Sequence, residues 1–167
     1  MKRNASFCSQ CGTSLEHIER HGRIRPVCPS CGFTVYFDPK VAVTIFIEQD
    51  EQVLLVQRNN HPGFGKWAMP AGFVEYDEAP EDAAIRETLE ETGLEVEITD
   101  LLAVFPRKDN GLADIVISYA ARLTGGQLQA GDDASAAEWY TRKAVPIDDL
   151  VFYPSMTLVG AWAREAR

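Results

Sequence analysis

The chain has 167 residues, 46% hydrophobic and 25% charged, a composition that supports a folded core and excludes a disordered chain. Its net charge of −9, from 16 Lys+Arg against 25 Asp+Glu, argues against general binding to nucleic acid or anionic membrane. The longest clear apolar run, Val41 to Ile47, is far too short to span a bilayer, and the N-terminal MKRNASFCSQCG has no apolar stretch of a secretory signal. The expectation is a cytoplasmic protein with no membrane partner.

Charge divides the chain. Residues 1–40 carry six Lys/Arg and three acids, a balance of +3, and the remainder carries 10 against 22, a balance of −12. All four cysteines fall in the basic part, as Cys8-x2-Cys11 and Cys28-x2-Cys31. A two-residue spacer lets two thiolates of one tight turn reach the same ion, and two such turns close a tetrahedral shell suited to zinc. Gly12 and Gly32 follow the second cysteine of each pair, where a turn needs a permissive backbone. A reducing compartment argues against disulfides. A closed shell leaves no position for substrate, so one structural Zn2+ held by Cys8, Cys11, Cys28 and Cys31 is expected. Four thiolates and one Zn2+ add −2, which nearly cancels the +3 and weakens any case for nucleic acid. His17 and His21 read as solvated surface, and His61 as structural or exposed.

In the larger part, Val41 to Ile47 reads as a buried strand and Val53 to Val56 as its hairpin partner across a polar turn. Asn59 to Lys66, with Pro62, Gly63 and Gly65, is a loop, and Trp67 to Met69 a short strand. Pro80 to Thr92 is the strongest helix. Pro80 suits its first position, Glu81 and Asp82 its positive end, and Gly93 its stop, although Ala79 is a poor cap. Val96 to Phe105, Ile115 to Leu123 and Glu138 to Thr141 read as strands, and Pro154 to Arg164 as a closing helix. This order is of the mixed, three-layer α/β/α kind.

Along the strong helix, at 100° per residue, Glu87, Glu90 and Glu91 fall within an arc of about 100°. Ala84, Ile85, Thr88, Leu89 and Thr92 form the expected packing face. An acidic helix face is most often simply solvated. Here like charges repel near the helix's negative end, and Arg86 alone stands beside them. A bound Mg2+ or Mn2+ would relieve that repulsion, since hard cations prefer oxygen ligands.

Residues 72–94, GFVEYDEAPEDAAIRETLEETGL, fit the pattern G-x5-E-x7-R-E-U-x-E-E-x-G-U, with U a bulky aliphatic. Gly72, Glu78, Arg86, Glu87, Glu90, Glu91, Gly93 and Leu94 take the fixed positions, and Thr88 departs at the first U. The stretch resembles the box of the Nudix hydrolases, and the flanking GKWAMPAGFVE and AAEWYT extend the likeness over roughly residues 40–145. The resemblance implies an α/β/α sandwich with a mixed sheet at 38–167, preceded by a small four-cysteine zinc ribbon at 1–37. It implies Mg2+- or Mn2+-dependent hydrolysis of a nucleoside diphosphate linked to another moiety, releasing a nucleoside monophosphate. By position, Glu87, Glu90, Glu91 and the Ala71 carbonyl would hold magnesium. Arg86 would orient the carboxylates, Glu78 would support the loop, and Gly72 and Gly93 would serve turns. Glu87, Glu90, Arg86 and Asp133 carry the catalytic roles, with the base either in the box or on the later GDDASAAEW loop. There Asp132 and Asp133 equally fit a polar turn.

A ribbon joined to such a domain resembles the NADH and ADP-ribose pyrophosphatase branches, in which Tyr36 and Phe73 would touch substrate. The NADH branch carries an SQPWPFP-like run where this chain has LLAVFPRKDNGLADI, and only Phe105 and Pro106 echo it. The substrate class stays at ADP-ribose, NADH or FAD type, with modified nucleoside triphosphates open. The alternatives are a nucleic-acid-binding regulator and an RNA 5′-end hydrolase using the ribbon. Ribbon-bearing relatives leave room for a homodimer.

Overall fold

The computed structural model describes residues 3–106 and 113–165. Contacts divide the chain into Met1–Pro39 and Lys40–Arg167. The first unit contains one antiparallel hairpin, β1 (Glu16–Arg20) with β2 (Arg23–Val27), between the two cysteine pairs. The sequence pattern does not announce these strands, because only Val27, Pro26 and the cysteines Cys8 and Cys28 are buried and no alternation of apolar residues marks the hairpin.

The second unit is built on β3 (Val41–Gln49), β4 (Gln52–Arg58), β5 (Trp67–Ala68), β6 (Ala71–Phe73), β7 (Leu94–Pro106), β8 (Ile115–Gly126) and β9 (Ala134–Thr141). Helix α1 (Pro80–Thr92) follows β6, and α2 (Tyr153–Arg164) follows β9 and a single 3₁₀ turn. The strand order is β5-β4-β3-β8-β7, with β6 also on β3 and β9 also on β4. β3 and β8 run parallel, so the sheet is mixed. β3 and β4 pair only at Glu48↔Val53 and Gln49↔Gln52, beside their turn. Beyond it they part, β3 joining β6 and β8 while β4 joins β5 and β9. The sheet therefore forks.

Alternation along β3 supplies both cores. Val43, Ile45 and Ile47 pack with Leu54, Ala83 and Ala84 under α1. Phe46 turns the other way and joins Val53, Leu55, Val159 and Trp162 under α2. With both faces covered, Val53 to Val56 are all buried. Among the described residues no helix is long and apolar enough to cross a membrane.

Helix α1 begins at Pro80, with Ala79 making no side-chain cap, and ends at Gly93 in the left-handed conformation, whose N–H donates to Leu89 O at 2.8 Å. Its packing face differs from the expected one. Ala83, Ala84, Thr88, Glu91 and Thr92 are buried, while Ile85 and Leu89 are 37% and 49% exposed. The helix is turned so that small residues meet the sheet closely and Glu91 lies inside. Thr88, the departure from the box pattern, is fully buried and its hydroxyl donates to Ala84 O at 2.8 Å.

Two glycines close the far end of the α1–β7 connection. A Cβ on Gly126, at φ +87°, would lie 2.4 Å from Gly93 O and 2.8 Å from Leu94 Cα. These are backbone atoms with nowhere to move, and an L side chain strains at that φ. Gly126→Ala should lower the stability by more than about 1 kcal/mol, read as a drop in thermal midpoint.

Candidate active site

The fork opens a cavity of about 420 Å³. Its walls come from the first half of β3, from Ala71, Gly72 and Phe73 of β6, from the α1 carboxylates, and from the turn before β9. Phe105, Val116 and the first turn of α2 line the remaining side.

Arg86 organises the carboxylate wall. Its Nη1 donates to Glu87 Oε1 at 2.8 Å and Glu90 Oε2 at 3.0 Å. Its Nη2 donates to Phe73 O at 3.0 Å and Glu78 Oε1 at 2.7 Å, and Nε reaches Glu78 Oε2 at 3.1 Å. All three guanidinium nitrogens are thereby used, with Glu78 gripped in the two-pronged manner that suits a planar fork. Glu78 also accepts from Glu75 N at 2.8 Å, which ties the loop before α1. Its pKa is lowered chiefly by the hydrogen bonds from Arg86.

Glu91 and Glu87 behave in the opposite way. Burial pushes Glu91 up to about 8, and the neighbouring Glu87 charge adds to the rise, against the Ala71 N–H that donates to its Oε2 at 3.0 Å. Glu87 is also raised, first by burial, with Arg86 opposing. Carboxyls withdrawn from water favour their protonated forms, the more so near another negative charge, unless positive charge joins them. The donor set is all oxygen and fits a hard divalent cation. Gly72 makes the space. A Cβ there would fall 1.8 Å from Glu87 Cδ, inside its carboxyl group. This corrects the expectation that Gly72 serves a turn: it lies on strand β6, paired with Val43, and Glu87 needs its missing side chain.

The expected residues Glu87, Glu90, Glu91, Arg86, Ala71, Phe73 and Asp133 all line this cavity. Lys40 Nζ stands 4.9 Å from the centroid of the Phe73 ring. Asp133 lies in the turn before β9, as does Asp132. Asn60 Nδ2 donates to Asp133 Oδ2. Tyr36 lies in the first unit, exposed, with the Arg25 guanidinium 4.7 Å above its ring.

Several lining residues escape a reading of the sequence. Arg58, at the end of β4, donates from Nη2 to Asn60 Oδ1 at 2.5 Å and from Nε to Pro62 O at 2.8 Å, and stands 4.8 Å from the Phe152 ring. A lone arginine ending the apolar strand QVLLVQR is the available signal. Thr44 and Tyr153 carry none, because each sits among residues that read as core.

In the first unit the four cysteine sulfurs form a second cluster, all within 4.8 Å of one another. Cys11 Sγ lies 3.5 Å from Cys28 Sγ and 3.7 Å from Cys31 Sγ, and Cys8 Sγ 3.7 Å from Cys31 Sγ. A tetrahedral zinc–sulfur shell has edges of roughly 3.8 Å. The two turns share one design. Gly12 N donates to Cys8 O as Gly32 N does to Cys28 O, and Cys8 N donates to Thr13 O as Cys28 N does to Phe33 O. Gly12 and Gly32 have nearly the same positive φ, at 73° and 74°. The cluster can hold a metal ion. All four cysteines are free of disulfides. His17 and His21 are exposed, as is His61 in its loop.

The NUDIX domain model matches residues 38–159. An ADP-ribose pyrophosphatase of Methanocaldococcus jannaschii is 41% identical over 116 residues, 68% of this chain and 69% of that protein. The NAD-capped RNA hydrolase NudC of Pseudomonas aeruginosa is 28% identical over 151 residues, 86% of this chain but only 50% of that protein, so the chain spans half of its length. Among solved structures, a NUDIX hydrolase from Nitrosomonas europaea superposes with a TM-score of 0.87 at 31% identity, covering 97% of this chain and 92% of the other. With Gly72, Arg86, Glu87, Glu90 and Glu91 of the box lining one cavity and a domain match over most of its length, this chain belongs to the Nudix family and is a Nudix hydrolase.

Proposed function

We propose that the protein hydrolyses the pyrophosphate of a nucleoside diphosphate linked to another moiety, with ADP-ribose the leading substrate, using Mg2+ or Mn2+ at the α1 carboxylates. The observation that carries this reading is the packing of Glu87 and Glu91 against one cavity wall, raised by burial, with Gly72 making room for one and the Ala71 N–H holding the other. The similarity to an ADP-ribose pyrophosphatase over two-thirds of the chain supports the substrate class.

Glu87, Glu90, Glu91 and the Ala71 carbonyl would hold the cation. When bound it neutralises pyrophosphate charge and lowers the pKa of coordinated water. Arg86 keeps the Glu87 and Glu90 carboxylates in place. Water adds its oxygen to one phosphorus while the bridging P–O bond breaks, giving a nucleoside monophosphate and the phosphorylated partner. The proton lost by that water passes to a carboxylate, for which we assign Asp133, oriented by Asn60, with Glu87 as the box alternative. In the first unit Cys8, Cys11, Cys28 and Cys31 would hold one structural Zn2+ that ties the two turns together.

The deciding experiment incubates the protein and Mg2+ with ADP-ribose, NADH, NAD, FAD, 8-oxo-dGTP and an NAD-capped oligonucleotide, the last because of the NudC similarity. AMP released from ADP-ribose faster than from the others supports the reading, and no cleavage of any compound refutes it. Glu87→Gln and Glu91→Gln should lose turnover by at least about 100-fold with the fold intact by circular dichroism. Gly72→Ala should also lose turnover while melting near the wild type, since the group it displaces is the end of a flexible side chain.

The Glu91 carboxyl gives a pH signature. Its pKa is about 8 in the folded chain against 4.5 for the free group. The folded state therefore binds the extra proton across that window, and without divalent cations this group's contribution to stability falls as pH rises from about 4.5 to about 8. Glu91→Gln removes that fall, so in EDTA the variant should gain on the wild type in thermal midpoint as pH rises, and Mg2+ should close the gap. Equal pH slopes in EDTA would contradict this. Finally, the purified chain should carry one zinc by elemental analysis. Cys11→Ser should lower that content and speed amide exchange in residues 6–15 and 26–35, with strands β3 and β4 unaffected.

A further inference from the structure

Three buried side-chain polar atoms have no hydrogen-bond partner among the described residues: Thr44 Oγ1, Ser118 Oγ and Trp162 Nε1. Burying a hydroxyl without a partner is unfavourable, and a native structure seldom tolerates it without a use. Thr44 differs from the other two, because it alone among them lines the cavity. It is only 3% exposed.

The surroundings of Thr44 are apolar. Ala42, its neighbour two positions back on β3, also lines the cavity, as does Val116 of the adjacent parallel strand β8. Phe105 and Tyr153 add two rings, packed edge to face with centroids 5.4 Å apart at 86°. The same cavity is lined by Glu87, Glu90, Glu91 and Asp133. The lining thus combines carboxylates with aromatic and aliphatic groups and the orphan Thr44 hydroxyl, and Ala71, the β6 partner of Thr44, is the residue whose N–H donates to Glu91. The carboxylates suit phosphates with their cation. The apolar groups suit a planar heterocycle, whose faces pack on carbon and whose edge offers nitrogen or oxygen to a hydroxyl able to donate or accept.

We propose that these apolar lining groups form the base subsite, where Thr44 Oγ1 hydrogen-bonds the edge of the nucleobase and Phe105 and Tyr153 cover its face. The inference rests on the nucleotide reading above, and it names Thr44 as a residue that sets affinity for the base rather than the rate of the chemical step. Ser118, opposite Thr44 in the β3–β8 ladder but outside the cavity lining, is the internal control.

The test compares wild type, Thr44→Val, Thr44→Ser, Phe105→Leu and Ser118→Ala as full chains. AMP binding is read by titration calorimetry, ADP-ribose hydrolysis by steady-state kinetics with Mg2+, and folding by thermal melts. Thr44→Val keeps the shape and removes the orphan hydroxyl, so it should melt no lower than wild type. Its Kd for AMP and KM for ADP-ribose should both rise roughly 3- to 10-fold, the worth of one neutral hydrogen bond, with kcat unchanged. Thr44→Ser should restore both constants. Phe105→Leu should weaken AMP binding by removing a ring face, and Ser118→Ala should change neither constant. Unchanged Kd and KM in both Thr44→Val and Phe105→Leu would overturn the base subsite while leaving the hydrolase reading intact. AMP binding that depends on Thr44, in a wild type that does not cleave ADP-ribose, would support the subsite and remove ADP-ribose as substrate. A wild type that binds no AMP would overturn the inference.

Discussion

One guanidinium holds the active-site wall together. Arg86 commits its nitrogens to Glu78, Glu87, Glu90 and the Phe73 carbonyl, and so links α1 to β6 and to the loop between them. Without that link, like charges on one side of a helix and near its negative end would drive the carboxylates apart and into water. With it, Glu78 stays ionised and fixed, while Glu87 is held beside Glu91 with a raised pKa. The buried carboxylates therefore carry an electrostatic cost that positive charge would relieve.

The fork in the sheet gives this wall something to face. β3 and β4 share only the two residue pairs beside their turn, and their separation admits β6 on one branch and β5 and β9 on the other. Arg58, Asn60 and Asp133 thus line the same cavity as the α1 carboxylates. Apolar alternation on β3 then commits its two faces to two cores, one under each helix. A position such as Thr44, on the α2 side near the start of the strand, ends up at the cavity floor through this arrangement and not through any local propensity.

The first unit follows a different logic. Its few buried groups include Cys8, Cys28 and Val27, too little apolar area to fold a segment of this size without help. Its order comes from two turns of one design placed so that four sulfurs meet. A metal held there would supply the folding energy that the second unit draws from its cores.

Much of this was legible in the residues themselves. Proline at the start, acids in the first turn and glycine at the stop marked Pro80 to Thr92 as a helix, and the helix has those bounds. The spacing of the carboxylates and the paired cysteines identified both clusters of chemistry, because such patterns are local and their geometry follows from helix pitch and turn length. The face on which α1 packs was legible only in part: Ala84, Thr88 and Thr92 are buried as expected, and Ile85 and Leu89 are not. Hydrophobicity favours burying Ile85 and Leu89, yet close approach to the sheet selects the small Ala83, Ala84 and Thr88 and takes Glu91 inside with them. The purpose of Gly72 was equally hidden, since nothing in its neighbours along the chain shows that a side chain fifteen residues later fills the space of its missing Cβ. Sequence alone marked the carboxylates and cysteines that the structure gathers, because each motif lies within a helix or a pair of like turns. Tertiary structure alone decided which carboxylates are buried, how their proton affinities move and what stands across the cavity, because those depend on surfaces that distant parts of the chain supply.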